Sequence, residues 1–208
     1  MAGGRYSVEM KQVGGFWFPA EDKHCAEASQ RERIDLDMAL KYVANKKVCI
    51  QAGGNCGVWA TYLAARFEEV WTFEPDFENY LCLMKNIPAN VNHFLAALGH
   101  KQATVGLDRT PKNCGAHQTN LAGGVIPMMT IDGLELDGCD FIQLDVEGME
   151  PLILEGAQQT IDKFKPVLMI EDKDISRRYG YRQGWTETKI SGYRIADRIH
   201  NDVILVPN

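Results

Sequence analysis

The chain has no CxxC pair, no apolar run of membrane-spanning length and no GxGxxG turn, and each absence closes a class of function. Without paired spacing, Cys25, Cys49, Cys56, Cys82, Cys114 and Cys139 offer no zinc-like framework and are expected to be reduced, structural thiols. Without a long apolar run nothing points to a membrane, and the start MAGGRYSVEM lacks the basic and apolar regions of a signal peptide, so a cytoplasmic location is expected. Cations are the minority: 22 Lys and Arg stand against 28 Asp and Glu, for a net charge of -6. That balance argues against a broad nucleic-acid surface, which needs clustered Lys and Arg; only Arg177, Arg178 and Arg182 lie close together. Internal repeats and low-complexity tracts are lacking too. The 208 residues, 45% of them hydrophobic, are most simply one domain with a large core. The oligomeric state leaves no mark in the sequence.

What is present is organised around Lys46 to Asp76. Val48 to Gln51 is a short β-forming run that breaks into AGGNCG, where Gly53, Gly54 and Gly57 allow backbone angles closed to other residues. Ala60, Leu63, Ala64 and Phe67 then recur at helical spacing, and Val70 to Phe73 is a second run that stops at Glu74-Pro75. This is a βαβ unit with a glycine turn above its first strand and an acid at the tip of its second. Doubly wound folds hold a nucleoside this way, the acid accepting both ribose hydroxyls. The GGxxG spacing is looser than a pyrophosphate turn and suits a nucleoside without phosphates, of which S-adenosylmethionine (SAM) is the common one.

Around this unit the pattern alternates. Tyr6, Val8 and Met10, the Gly14-Gly15 turn and Phe16-Trp17-Phe18-Pro19 predict an N-terminal hairpin within an extension over residues 1–28, its aromatics plugging the sheet edge or hanging over the site. The domain proper then runs over 29–208, opening on a helix from Ser29 to Asn45, with Ser29 as cap and Glu32 at the capping-box position. A helix over Phe77 to Ile87 and a strand over Val91 to Leu95 follow, and Ala96 to Gly99 falls on the rim of the glycine turn. There Ala97 and Leu98 either face an adenine ring or merely fit a tight junction. Residues from about 100 to 124 read as an insertion: a short strand over Gln102 to Leu107, then a polar, irregular stretch. Asn113, Cys114, Gly115, His117 and Asn120 are its substrate-loop candidates.

The second informative unit begins at Asp140. A strand to Leu144 ends in Asp145-Val146-Glu147-Gly148, a helix spans Glu150 to Phe164, and the strand from Lys165 to Ile170 ends in Glu171-Asp172. Lys173 to Lys189 is polar but aromatic enough to shape a pocket. Tyr193 to Ala196 and Val203 to Val206 close the sheet as a hairpin around His200-Asn201-Asp202, and a parallel first arm would put that turn on the active rim.

The segments VCIQAGGNCGVWA, VWTFEPDFENYLCLMKN, FIQLDVEGMEPLILEGAQQTI and KPVLMIED together resemble the FkbM family of SAM-dependent methyltransferases, over roughly Lys46 to Asp172. The resemblance implies an α/β, Rossmann-like class I methyltransferase fold: a seven-stranded, mostly parallel sheet, helices on both faces and a C-terminal antiparallel hairpin. It makes Glu74, followed by Pro75, the ribose-binding acid. It makes the loop carrying Ala52, Gly53, Gly54, Asn55 and Gly57 the seat of the amino-acid end of SAM, with Asp145 at the neighbouring tip. The chain departs from the family at Gln51, where an acid is usual; its side-chain carbonyl is the remaining acceptor for the SAM amino group.

The family resemblance suggests O-methylation of a small molecule or sugar, and the DVEG tip differs from the NPPY or DPPY tips associated with amino-group methylation. The acceptor hydroxyl needs activation, by one of two routes. Asp145, Glu171 and Asp172 could gather around a Mg²⁺ that lowers its pKa, or Asp145, Glu147 or His200 could act as a metal-free general base. Two other classes fit parts of the pattern: a non-catalytic SAM or nucleoside binder, and an NAD-linked oxidoreductase lacking its glycine fingerprint.

Overall fold

The structure is a computed structural model that describes residues 8–208. Tyr6, in the expected first strand, lies outside the described residues. The chain opens with an antiparallel hairpin of β1 (Met10–Val13) and β2 (Phe16–Pro19), turned at Gly14 and Gly15, both at positive φ. Its aromatics plug no sheet edge. Phe18 is fully buried in a cluster with Cys56, Val58 and Cys82, and Asn86 both accepts from the Trp17 N–H and donates to its carbonyl, each at 2.8 Å.

The next helix starts earlier than its expected Ser29 cap. α1 (Cys25–Glu32) begins where the buried Asp22 carboxylate accepts from the backbone N–H of Cys25 and Ala26 at 3.2 and 3.0 Å, satisfying donors the first turn leaves unpaired. A boundary at residue 28 would therefore cut a helix. A 3₁₀ turn at Arg33–Asp35 separates α1 from α2 (Leu36–Leu40), which stops five residues short of Asn45.

The βαβ unit follows as β3 (Val48–Ala52), α3 (Val58–Ala64) and β4 (Glu69–Phe73). Asp76 caps α4 (Phe77–Asn86) by accepting from Glu78 and Asn79 N–H, and β5 (Val91–Phe94) completes this half of the sheet. β6 (Ala97–Leu98), β7 (Ala103–Asp108), β8 (Gln118–Asn120) and β9 (Ile126–Met129) form a separate sheet in the order β6-β9-β7-β8. The insertion is thus partly regular where an irregular stretch was expected, because β7 pairs on both sides and β8 is too short and polar to show a period.

β10 (Phe141–Leu144) leads into α5 (Glu150–Glu155) and α6 (Gln158–Phe164), where one continuous helix was expected. The break is at Gly156, where an added Cβ would lie 2.2 Å from the Gly99 carbonyl oxygen, and Asp132 restarts the helix by accepting from Gln159 and Thr160 N–H. β11 (Val167–Glu171), a 3₁₀ stretch at Asp174–Tyr179, α7 (Thr186–Lys189), β12 (Tyr193–Ile199) and β13 (Asp202–Pro207) finish the chain.

The main sheet has seven strands in the order β12-β13-β11-β10-β3-β4-β5, with β13 alone running against the direction of the other six. Period-two alternation splits the core. Ile50, Ile142 and Leu168 pack on one side with Ile153 and Ile161; Cys49, Phe141 and Met169 pack on the other with Leu36, Ala39 and Leu63. Each fully buried Leu or Ile contributes about 1.5–3 kcal/mol. The chain order reverses between β3 and β10, the switch point at which open α/β sheets bind ligands. Strand register sets the residues of that rim. Ala52 pairs with Phe73 and Leu144, and Leu144 with Ile170, so Gly53, Glu74, Asp145 and Glu171 stand in one row, with Asp202 paired to Glu171. Among the described residues no helix is long and apolar enough to cross a membrane.

Candidate functional site

A cavity of about 320 Å³ opens above this row. Its floor is the glycine bend. Gly53 has φ +83°, and a Cβ there would sit 1.8 Å from the Asp145 carbonyl oxygen, so only glycine lets the tips of β3 and β10 approach this closely. The Gly53 and Gly54 N–H groups both donate to the Phe73 carbonyl, at 3.2 and 2.8 Å, tying the bend to the tip of β4. Glu74 then reaches back: one carboxylate oxygen accepts from Asn55 N–H at 2.6 Å and the other from Asp76 N–H at 2.8 Å. The acid is 5% exposed and locked in orientation, with lone pairs left for two further donors from the cavity.

Ala52, Gly53, Gly54, Asn55, Glu74, Pro75, Ala97, Leu98 and Asp145 all line this cavity. Two of the residues assigned to the cofactor do not. Gly57 turns the chain into α3, where a Cβ would meet Ile87 at 3.0 Å, and Gln51 is buried beneath the bend. The Gln51 amide donates to the Gly53 carbonyl at 2.9 Å and its oxygen accepts from the Thr72 hydroxyl. Both ends of that side chain are used internally, so the expected Gln51 acceptor for a cofactor amino group is corrected to a brace for the loop. The insertion supplies the wall beside Glu74. Asn113, Cys114, Gly115 and His117 line the cavity, and the Cys114 carbonyl accepts from both Asn55 and Asn79 side chains at 2.9 and 2.8 Å. Asn120 points instead to Asp108.

The opposite end is acidic. Asp145, Glu147 and Glu171 each bring a carboxylate oxygen to within 4.8 Å of the others. Asp172, expected in this group, is not part of it: its carboxylate accepts from Gly184 N–H and from the Thr186 N–H and hydroxyl, anchoring the following loop. Lys173 enters the group instead, paired with Glu171 and 3.7 Å from Glu147. Burial raises the Asp145 carboxyl, against the lowering charge of Lys173 and a hydrogen bond with Glu171. Burial and then the Asp145 charge push Glu171 up to about 10. Glu150 fixes the tip that carries them, accepting from Val146 and Gly148 N–H at 2.9 and 3.2 Å, and Glu147 is held at φ +57°. His200 sits in the β12–β13 turn on this rim, but its side chain is 74% exposed, faces Asp35 at 3.7 Å and lies outside the cavity.

Sequence reasoning missed a whole wall of the cavity. Cys25, Ala28, Ser29 and Glu32 line it from α1, one face of a helix, and Trp59, Met149 and Lys173 add to it. The 25/28/29/32 spacing was readable once Asp22 is recognised as the cap.

Glu74 also sets a pH dependence. Burial, only partly offset by the Asp76 and Asn55 N–H groups, lifts its carboxyl from an ordinary value of 4.5 to about 8. A raised acid binds its proton more tightly in the folded chain. Its contribution to stability is therefore greatest below about 4.5 and is lost as pH rises through about 8. Unfolding stability of the chain relative to its Glu74→Gln variant, measured across that window, is expected to fall with pH; parallel profiles contradict it.

Residues 44–183 match the methyltransferase FkbM domain family. Among solved structures, the fold is similar to methyltransferase FkbM from Methylobacillus flagellatus KT, at 20% identity and TM-score 0.53, covering 78% of this chain. The chain spans only 44% of the length of that relative. It is also similar to N-methyltransferase NodS from Bradyrhizobium japonicum WM9 at 10% identity, TM-score 0.53, over 88% of this chain and 96% of the other. SMU.1697c from Streptococcus mutans, solved in complex with SAH, matches at 12% identity and TM-score 0.50, over 89% and 99%. No curated protein matches the sequence. With two thirds of its length matched and the seven-stranded sheet in place, the chain belongs to the methyltransferase FkbM domain family.

Proposed function

We propose that the chain is a SAM-dependent methyltransferase that transfers a methyl group to a hydroxyl oxygen of a small molecule or sugar, in the cytoplasm. The observation that carries this reading is the single row of Gly53, Glu74 and Asp145 under one cavity, a bend, a ribose acceptor and a base. Bound SAM supplies a methyl group on a sulfonium. The residues here do the rest. Glu74 orients two vicinal hydroxyls, the Gly53–Asn55 backbone receives the amino-acid end beside the Asp145 tip, and Ala97, Leu98 and Pro75 offer apolar contact for a base. Asp145 takes the acceptor's proton as its hydroxyl reacts, and α1 forms one wall of the cavity. Six free, buried cysteines support a reducing compartment.

Calorimetric titration with S-adenosylhomocysteine tests the reading. The chain is expected to bind it, and Glu74→Ala to weaken binding by about 1–3 kcal/mol, the cost of leaving two hydroxyl donors unpaired. Unchanged affinity removes Glu74 from the cofactor site.

A further inference from the structure

We propose that Lys173 is a built-in substitute for a divalent cation: its ammonium does for Asp145, Glu147 and Glu171 what a metal ion does in metal-dependent relatives of this chemistry. The inference deepens the reading above and rests on it for its meaning in turnover. Three carboxyl groups with oxygens within 4.8 Å of one another cannot all ionise in a half-buried cavity without a counter-charge. Lys173 meets their side chains, paired with Glu171 and 3.7 Å from Glu147, while Arg178 donates to the Glu147 backbone carbonyl. Its placement is enforced: Asp172, the residue before it, is pinned through Gly184 and Thr186, and Glu171, two before it, is fixed in the sheet.

Two features show that the ammonium replaces a ligand set's ion and is not a passing surface pair. Glu171 is 8% exposed, and apart from its hydrogen bond with Asp145 its second oxygen meets no donor among the described residues, so one ammonium leaves ligand capacity unused. Lys173 also pairs with Glu171 and Glu147 and makes no ion pair with Asp145. A divalent ion would bind all three carboxylates and consume the base. The ammonium pairs with the other two and leaves Asp145 able to take a proton. Lys173 is thus a positioning residue that makes activation of the acceptor independent of metal.

Removing the ammonium should uncover the latent site. Mn²⁺ is the probe, its free fraction read by electron paramagnetic resonance in the presence of the unaltered chain, of Lys173→Ala and of Lys173→Met, which keeps the apolar stem. Both variants are expected to bind one Mn²⁺ per chain at least about tenfold more tightly than the unaltered chain, and a second substitution, Glu171→Gln, to abolish that binding. If a variant folds only with Mn²⁺ present, a rise in its melting temperature on adding the ion reads the same gain. Equal Mn²⁺ binding by the unaltered chain, or no binding and no thermal shift in either variant, overturns the proposal. S-adenosylhomocysteine titrated into the unaltered sample reports on the methyltransferase reading separately, since its failure leaves the metal comparison intact.

Discussion

Replacing Asp145 by asparagine is expected to lower methyl transfer by about 100-fold or more, while S-adenosylhomocysteine affinity stays within about threefold, less than 1 kcal/mol. The split follows from how the residue is held. Its backbone N–H donates to the Ala52 carbonyl at 3.3 Å and its own carbonyl is packed against Gly53, so its place in the rim does not depend on the side chain. Asparagine fills the same volume. What it cannot do is accept a proton. The native carboxyl is raised by burial, with the charge of Lys173 and a hydrogen bond with Glu171 lowering it in part. Single-turnover kinetics with methyl-labelled SAM, run beside calorimetry, separate the two effects. Turnover retained at the native rate removes Asp145 from the chemistry, and a large loss of affinity makes it chiefly a cofactor ligand.

Gly53→Ala is expected to damage both stability and binding. Its φ of +83° costs any L side chain, and the Cβ would collide with the Asp145 carbonyl at 1.8 Å, an atom at the tip of β10 that is held in place by the Asp145 N–H donating to the Ala52 carbonyl. Together these should cost about 2 kcal/mol or more of stability and spread the β3 and β10 tips. Gly180 separates the two causes. Its φ is +87° but nothing lies within 4 Å of an added Cβ, so Gly180→Ala carries the backbone penalty alone, about 1 kcal/mol. Urea unfolding of both variants is the measurement. Equal losses would mean that the close approach at Gly53 contributes nothing.

Much of this site was legible because its signals are local. The glycine bend, the acid ending the second strand and the DVEG tip each sit within a few residues of a strand whose apolar run marks it, and parallel pairing then aligns strand ends without further information. Glu74 was therefore readable. The split of the acids was not. Whether Glu171 or Asp172 faces the cavity depends on Gly184 and Thr186, far along a polar loop, and a lone lysine in such a loop carries no pattern that would single out Lys173. Gln51 read as a ligand because the strand end is where ligands sit; its partners, Thr72 and the Gly53 carbonyl, come from pairing and not from sequence proximity. α1 was missed for a different reason. Its cap is Asp22, three residues before its first turn, and that carboxylate also accepts from Cys114 N–H at 3.1 Å, binding α1 to the insertion. A tertiary contact fixed where the helix begins, so the capping-box signature at Ser29 and Glu32 lost to it.

We propose that an adenosyl group lies between the glycine bend and Glu74, with its reactive end toward Asp145. A crystal structure with S-adenosylhomocysteine is the most direct test. Both ribose hydroxyls are expected on the Glu74 carboxylate and the sulfur on the Asp145 side of the cavity. A nucleoside bound elsewhere, or one in this cavity whose hydroxyls bypass Glu74, contradicts it.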